Sequence, residues 1–129
     1  PAVALFDIDG QYTFPAEKAA MMFERTGVTP KELSPYHNIS KGIPPTIVFH
    51  GTNDSAVDYR TVVLFEKEMR AKGNRCELVS FEDKPHGFFN YGKFGNEPFS
   101  KSMHATDKFL SSLGWLKGKP TIDQYLKAQ

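Results

Sequence analysis

Cysteine is nearly absent. Cys76 is the only one in 129 residues, so the chain closes no internal disulfide and builds no multi-cysteine metal site. Nothing therefore marks an oxidising compartment, and nothing excludes one. An excess of charge is also missing. Lys and Arg number 16 against 15 Asp and Glu, a net charge of +1 with His neutral. The charges form no block, so neither nucleic acid nor an anionic membrane surface is expected as a partner. No apolar run approaches the roughly 20 residues that span a bilayer. Pro1–Phe6 is mostly apolar but lacks a basic leader and soon meets Asp7 and Asp9, so it is not read as a signal peptide. No two histidines have metal-site spacing, and no metal or cofactor is expected. Internal repeats and low-complexity segments are lacking too. What remains is a chain with 40% apolar and 24% charged residues, the balance of an ordinary globular domain with one modest core.

Strand and helix patterns alternate along that chain. Ala2–Ile8 is apolar and β-prone up to the break at Asp9-Gly10, a buried strand and turn. The chain opens on this strand with no initiator Met, which points to a fragment, a processed product or a truncated gene. From Pro15 to Arg25, Ala16, Ala19, Ala20, Met22 and Phe23 recur at helical spacing, with Gly27 as a stop. A short helix from Thr29 ends at Ser34-Pro35, and residues 36–45 read as loop. Thr46–His50 is a second buried strand. Asp58 caps a helix running to about Lys72, with Val62, Phe65 and Met69 on its core face and Gly73-Asn74 at its end. Cys76–Phe81 is a third strand, followed by a long loop from Glu82 to Asn96 that is rich in glycine and aromatics. A last long helix begins at Pro98 and closes near Leu113; Thr121–Gln129 is a short helix or a frayed end. The order β-α-β-α-β-α favours a parallel sheet with right-handed crossover helices. Reactive groups in such sheets gather in loops at the carboxyl ends of strands.

Two of those loops carry chemistry. His50-Gly51-Thr52-Asn53-Asp54 follows one buried strand, and Pro85-His86-Gly87-Phe88-Phe89-Asn90 follows the next. A Ser-His-Asp hydrolase needs an imidazole that takes and returns a proton, and a carboxylate that fixes its tautomer and stabilises its charged form. An Asp and a His on adjacent strand-end loops can meet in that way, and Asp before His is the α/β-hydrolase order. Together with the G-x-x-x-E-L strand start at Gly73, Ser34-Pro35-Tyr36-His37-Asn38 and Gly114-Trp115-Leu116, these loops resemble the C-terminal part of α/β-hydrolases of the serine esterase and lipase kind, and acetyl-esterase or acetylxylan-esterase-like members in particular. The resemblance runs from about Leu33 to Leu116. It implies a three-layer α/β fold, the C-terminal half of the hydrolase fold with about three parallel strands and flanking helices, and one partial domain over residues 1–129. It implies Asp54 as the triad acid and His86 as the general base. Phe88, Phe89 and Tyr91 either line an acyl or alcohol pocket or pack beneath the loop. Asp83 is a lesser rival for the acid. His50 is expected to pack or hydrogen-bond under the acid loop, His37 and His104 to be structural or solvated, and Cys76 to be a small core residue.

One departure limits what the resemblance implies. The family nucleophile sits in Gly-x-Ser-x-Gly, and no serine here has Gly two residues before and two after; Asn38-Ile39-Ser40-Lys41-Gly42 has only the second. The expectation is that the parent protein hydrolyses carboxylic esters and that this chain, with acid and base but no nucleophile, is inactive alone. Two other readings stand beside it. Leu5-Phe6-Asp7-Ile8-Asp9-Gly10 resembles the first motif of haloacid-dehalogenase-type phosphatases, in which Asp7 would accept the phosphoryl group, Asp9 act as acid and base, and both bind Mg²⁺. Gln11 stands where that motif has Thr, and nothing in that family accounts for Pro85–Asn90. The third reading is a truncated hydrolase kept as a binding or assembly domain. Half of a doubly wound sheet has an open strand edge, so a homo-oligomer or a complementing N-terminal fragment is expected as partner, beside a small ester substrate.

Overall fold

A computed structural model describes residues 16–128. The expected strand Ala2–Ile8 and the Asp7/Asp9 pair lie outside these residues. Among them the sheet has two strands, β1 (Thr46–Gly51) and β2 (Cys76–Phe81). They pair in parallel with Thr46 opposite Cys76 and Gly51 opposite Phe81. The helices are α1 (Ala16–Thr26), α2 (Pro30–Leu33), α3 (Tyr59–Ala71), α4 (Glu97–Ser112) and α5 (Ile122–Lys127), with single 3₁₀ turns at Tyr36–Asn38 and Phe94–Asn96. No helix among the described residues is long and apolar enough to cross a membrane.

The boundaries follow from local chemistry. Thr29 and Glu32 form a reciprocal capping box at the start of α2. Asp58 accepts the Arg60 N–H at 2.9 Å and caps α3 as its position predicts. Within α3, Val62, Phe65 and Met69 are buried together with Thr61; the stripe turns toward the sheet. Phe65 and Met69 join Ile39 and Cys76 in one core cluster. Asn74, which the sequence marks only as a helix end, ties this core to the loop ahead of β1. Its side-chain oxygen accepts the N–H groups of Gly42 and Ile43 at 2.8 and 3.1 Å, and its amide donates to Ser40 O at 2.7 Å. Asn38 does similar work one motif earlier, donating to Ser34 O at 2.7 Å and Glu32 O at 2.9 Å.

Successive strand residues point to opposite faces, and β2 uses both. Ser80 meets Tyr59 of α3, while its neighbour Phe81 lies under Lys101 of α4, 4.9 Å from the ring centre. Helices thus flank the sheet on both sides, the three-layer α/β arrangement. The buried ring of Phe88 lies 4.5 Å from Phe81. β1 departs from the buried strand that its apolar run predicts: Thr46–Phe49 are only half-buried. The reason is topological, because among the described residues β1 has a neighbouring strand along one edge only.

Candidate active site

The parallel register brings the carboxyl ends of β1 and β2 level, and the loops that follow are zipped together. Thr52 N–H donates to Phe81 O at 2.9 Å, Asn53 N–H to Lys84 O at 3.2 Å, and Asp83 N–H to the Thr52 hydroxyl at 2.9 Å. At Gly51 the two backbones approach closely: a Cβ there would fall 2.0 Å from Lys84 O. Only glycine allows that approach.

Asp54 and His86 meet across this seam. His86 Nδ1 lies 2.9 Å from Asp54 Oδ2. The carboxylate is the inner partner, with 5% of its side chain exposed against 61% for His86. Its other oxygen accepts the N–H groups of Ala56 and Val57, both at 2.9 Å. Burial pushes the Asp54 carboxyl up and is the largest single influence on it. The Val57 N–H, the His86 ring and the Ala56 N–H together outweigh that push, so Asp54 sits below its ordinary value and stays ionised. An ionised carboxylate can only accept, so Nδ1 of His86 carries a proton, and in the neutral ring Nε2 has the lone pair. That is the tautomer a general base needs.

A cavity of about 460 Å³ adjoins the pair. His50, Asp54, Val57, His86, Phe88 and Phe89 contribute to its wall, and β1 contributes Thr46–Phe49. Phe88 serves as a buried floor and Phe89 is 45% exposed. Tyr91 does not line this cavity; it is turned edge-on to Phe99 of α4 at 5.5 Å. Asp83 has φ +54° and is engaged through its backbone with Thr52; the carboxylate at His86 is that of Asp54. Of the remaining histidines, His50 is buried with Nε2 2.9 Å from Val57 O. His104 pairs with Asp123 at 3.0 Å on the outer face, and His37 stands edge-on to Tyr36. Cys76 is buried in the core. No group of three His, Cys, Asp or Glu among the described residues could hold a metal ion.

Sequence reasoning missed the support behind Asp54. Tyr59 OH bonds Ser80 Oγ at 2.5 Å and its ring leans on His50 at 6.0 Å. No local pattern announces a contact between residues 21 apart; only the β1–β2 register, which sets His50 opposite Ser80, makes it visible.

Comparison with known proteins agrees with this fold. The family model of the prolyl oligopeptidase family matches residues 2–112. The chain is similar to the solved structures of esterase 2, a thermophilic esterase from the planctomycete Thermogutta terrifontis. To the propionate-bound form it is 42% identical with a TM-score of 0.78, covering 92% of this chain and 42% of that one. To the butyrate-bound form it is 41% identical with a TM-score of 0.79, covering 92% and 43%. To the form phosphonylated by sarin the values are 41% and 0.79, covering 91% and 43%. No curated protein matches. The chain thus spans about two fifths of the esterase it resembles. It belongs to the prolyl oligopeptidase family of serine hydrolases and has the α/β-hydrolase fold, corresponding to the C-terminal part of an esterase of that fold.

Proposed function

We propose that this chain supplies the acid and the general base of a Ser-His-Asp carboxylic ester hydrolase, Asp54 and His86, to a nucleophilic serine carried outside its sequence. The observation that supports this most directly is the 2.9 Å contact between Asp54 Oδ2 and His86 Nδ1, with the carboxylate buried and the imidazole open. In the proposed cycle His86 Nε2 takes the serine proton as Oγ attacks the ester carbonyl. It then returns that proton to the leaving alkoxide, and Asp54 stabilises the imidazolium between the two steps. Alone, the chain lacks the attacking atom. The domain is accordingly one part of a hydrolase, and the proposed partner is a serine-bearing N-terminal half seated along the cavity side of β1. The phosphatase reading rests on Asp7 and Asp9, outside the described residues, and the family match spans them.

The proposed substrates are short-chain acyl esters. The similar esterase has been captured with propionate and with butyrate, and the cavity beside His86 is walled by Val57, Phe88 and Phe89. The family's name points to peptidases, so ester against amide is part of the test. The chain is joined to the N-terminal part of the Thermogutta esterase and assayed with p-nitrophenyl butyrate and a matching p-nitroanilide. The joined protein is expected to show a burst with the ester and little turnover of the anilide, and the isolated chain no burst. Asp54→Asn in the joined protein is expected to lower kcat by about 10⁴-fold through the wrong imidazole tautomer. A stoichiometric burst from the isolated chain, or full activity in Asp54→Asn, would refute the proposal.

A further inference from the structure

His50 is the last residue but one of β1, four residues before Asp54, and is 8% exposed. Its Nε2 lies 2.9 Å from the carbonyl oxygen of Val57. A carbonyl only accepts, so that nitrogen carries the ring proton. The same nitrogen lies 3.4 Å from Asp54 Oδ2, the oxygen that meets His86. The Val57 peptide is therefore gripped at both ends, its C=O by His50 and its N–H by Asp54 Oδ1 at 2.9 Å. With Oδ1 pinned to the loop backbone, the carboxylate cannot rotate without breaking that grip, and Oδ2 stays aimed at His86. The ring of His50 is held in turn. Tyr59 leans on it with centroids 6.0 Å apart, and Tyr59 is anchored to β2 through Ser80. The charged groups near the ring are Asp54 and Asp58, the second already paired with Arg60.

We propose that His50 is a positioning residue for the acid–base pair: its N–H, through Val57 and the flank of the Asp54 carboxylate, sets the geometry in which Oδ2 accepts the hydrogen bond from His86 Nδ1–H. The proposal rests on the reading of Asp54 and His86 as acid and base, and it adds a third side chain on which their alignment depends. It assigns the work to the donor at Nε2, not to the bulk of the ring. Two substitutions separate these. His50→Phe keeps an aromatic body without a donor. His50→Gln keeps an N–H at similar reach without the ring.

The experiment is ¹⁵N-resolved NMR of the chain itself, following the His86 Nδ1 proton and its exchange with water, with circular dichroism to establish that each variant is folded. The wild type and His50→Gln are expected to show a protected Nδ1 proton. In His50→Phe its exchange should quicken by about tenfold, the factor that one ordinary hydrogen bond accounts for. Unchanged protection in the folded Phe variant would overturn the proposal, and so would a Gln variant that behaves like Phe. If the wild type itself lacks a protected Nδ1 proton, the Asp54–His86 pairing fails and this inference falls with it; loss confined to the Phe variant leaves both standing.

Discussion

The loop proposed to carry the acid, Asp54, and the loop proposed to carry the base, His86, are held by different forces. The segment from Gly51 to Asp58 is closed by hydrogen bonds: Asp54 Oδ1 to two backbone N–H groups, His50 to Val57 O, and Asp58 to Arg60 N–H. The base loop after Phe81 is longer and bends through residues of positive φ, among them Asp83, Gly87, Phe94 and Asn96. Its first residues are bonded into the seam through Asp83 and Lys84, and beyond the seam what holds it down is a buried ring, Phe88, wedged against Phe81. The difference matches the duties proposed for them. A carboxylate that must not move is fixed at every oxygen. An imidazole that must face a second reactant is held at Nδ1 and left 61% exposed.

The largest effect that could break this comparison comes from Phe88. If hydrophobic burial holds the base loop, Phe88→Ala should cost about 3–5 kcal/mol, a large share of the 5–15 kcal/mol that a small domain commands. Phe89, 45% exposed beside it, should cost under about 1 kcal/mol on truncation, because little of its surface is removed from water. Urea unfolding midpoints of the two variants, read at a common slope, measure both. Equal losses would mean that the ring at position 88 is not the anchor.

Next in size are two glycines, one from each loop. Gly51→Ala drives a Cβ to 2.0 Å from Lys84 O, a backbone atom that cannot swing aside. The seam between the loops must open, and overpacking of this kind costs about 1–3 kcal/mol or more. At Gly87 the obstacle is conformational. Its φ is +69° and the nearest atom to an added Cβ is the flexible Asn90 side-chain amide at 3.2 Å. A left-handed alanine costs about 1–2 kcal/mol. The prediction is that Gly51→Ala is the more damaging and that it alone separates Asp54 from His86, read as loss of the His86 Nδ1 proton signal. The opposite ranking would shift the weak point from the seam to the base loop.

How much of this was open to reading in the sequence depends on the range of the interaction. Asp58 as a cap, Gly73-Asn74 as a stop and the span of β2 rest on neighbours a few residues away, and periodicity exposes them. The family and the pairing of Asp54 with His86 came from resemblance, because a contact between residues 32 apart has no local signature. The seam at Gly51 and Lys84, the Tyr59–Ser80 support and the Asn74 tie are long-range as well, and no motif carried them. Tyr91 shows the limit of proximity in sequence. It stands one residue after Asn90 in an aromatic-rich run, yet the turn sends its ring to Phe99 instead of the cavity.

The smallest effect is the one that best sharpens the contrast between the loops, because the first closes around a charge and the Phe88 anchor of the second carries none. Asp54 sits below its ordinary value of 3.8 in the folded chain, its burial outweighed by the Val57, His86 and Ala56 donors. A carboxyl depressed on folding adds stability above its unfolded value and loses that contribution as pH falls through the folded value. The stability gap between wild type and Asp54→Asn should therefore be full near neutrality and shrink in acid, below about pH 4. Asp58 is also depressed, chiefly by the Arg60 side chain, but it is present in both proteins and drops out of the difference. Phe88 carries no titratable group, so the gap between wild type and Phe88→Ala should stay level across the same window. Urea unfolding of all three proteins at matched ionic strength from pH 3 to pH 7 tests both limbs. A gap for Asp54→Asn that stays flat would show that the carboxylate is not held by its charge, and a gap for Phe88→Ala that shrinks in step with it would dissolve the distinction between the two loops.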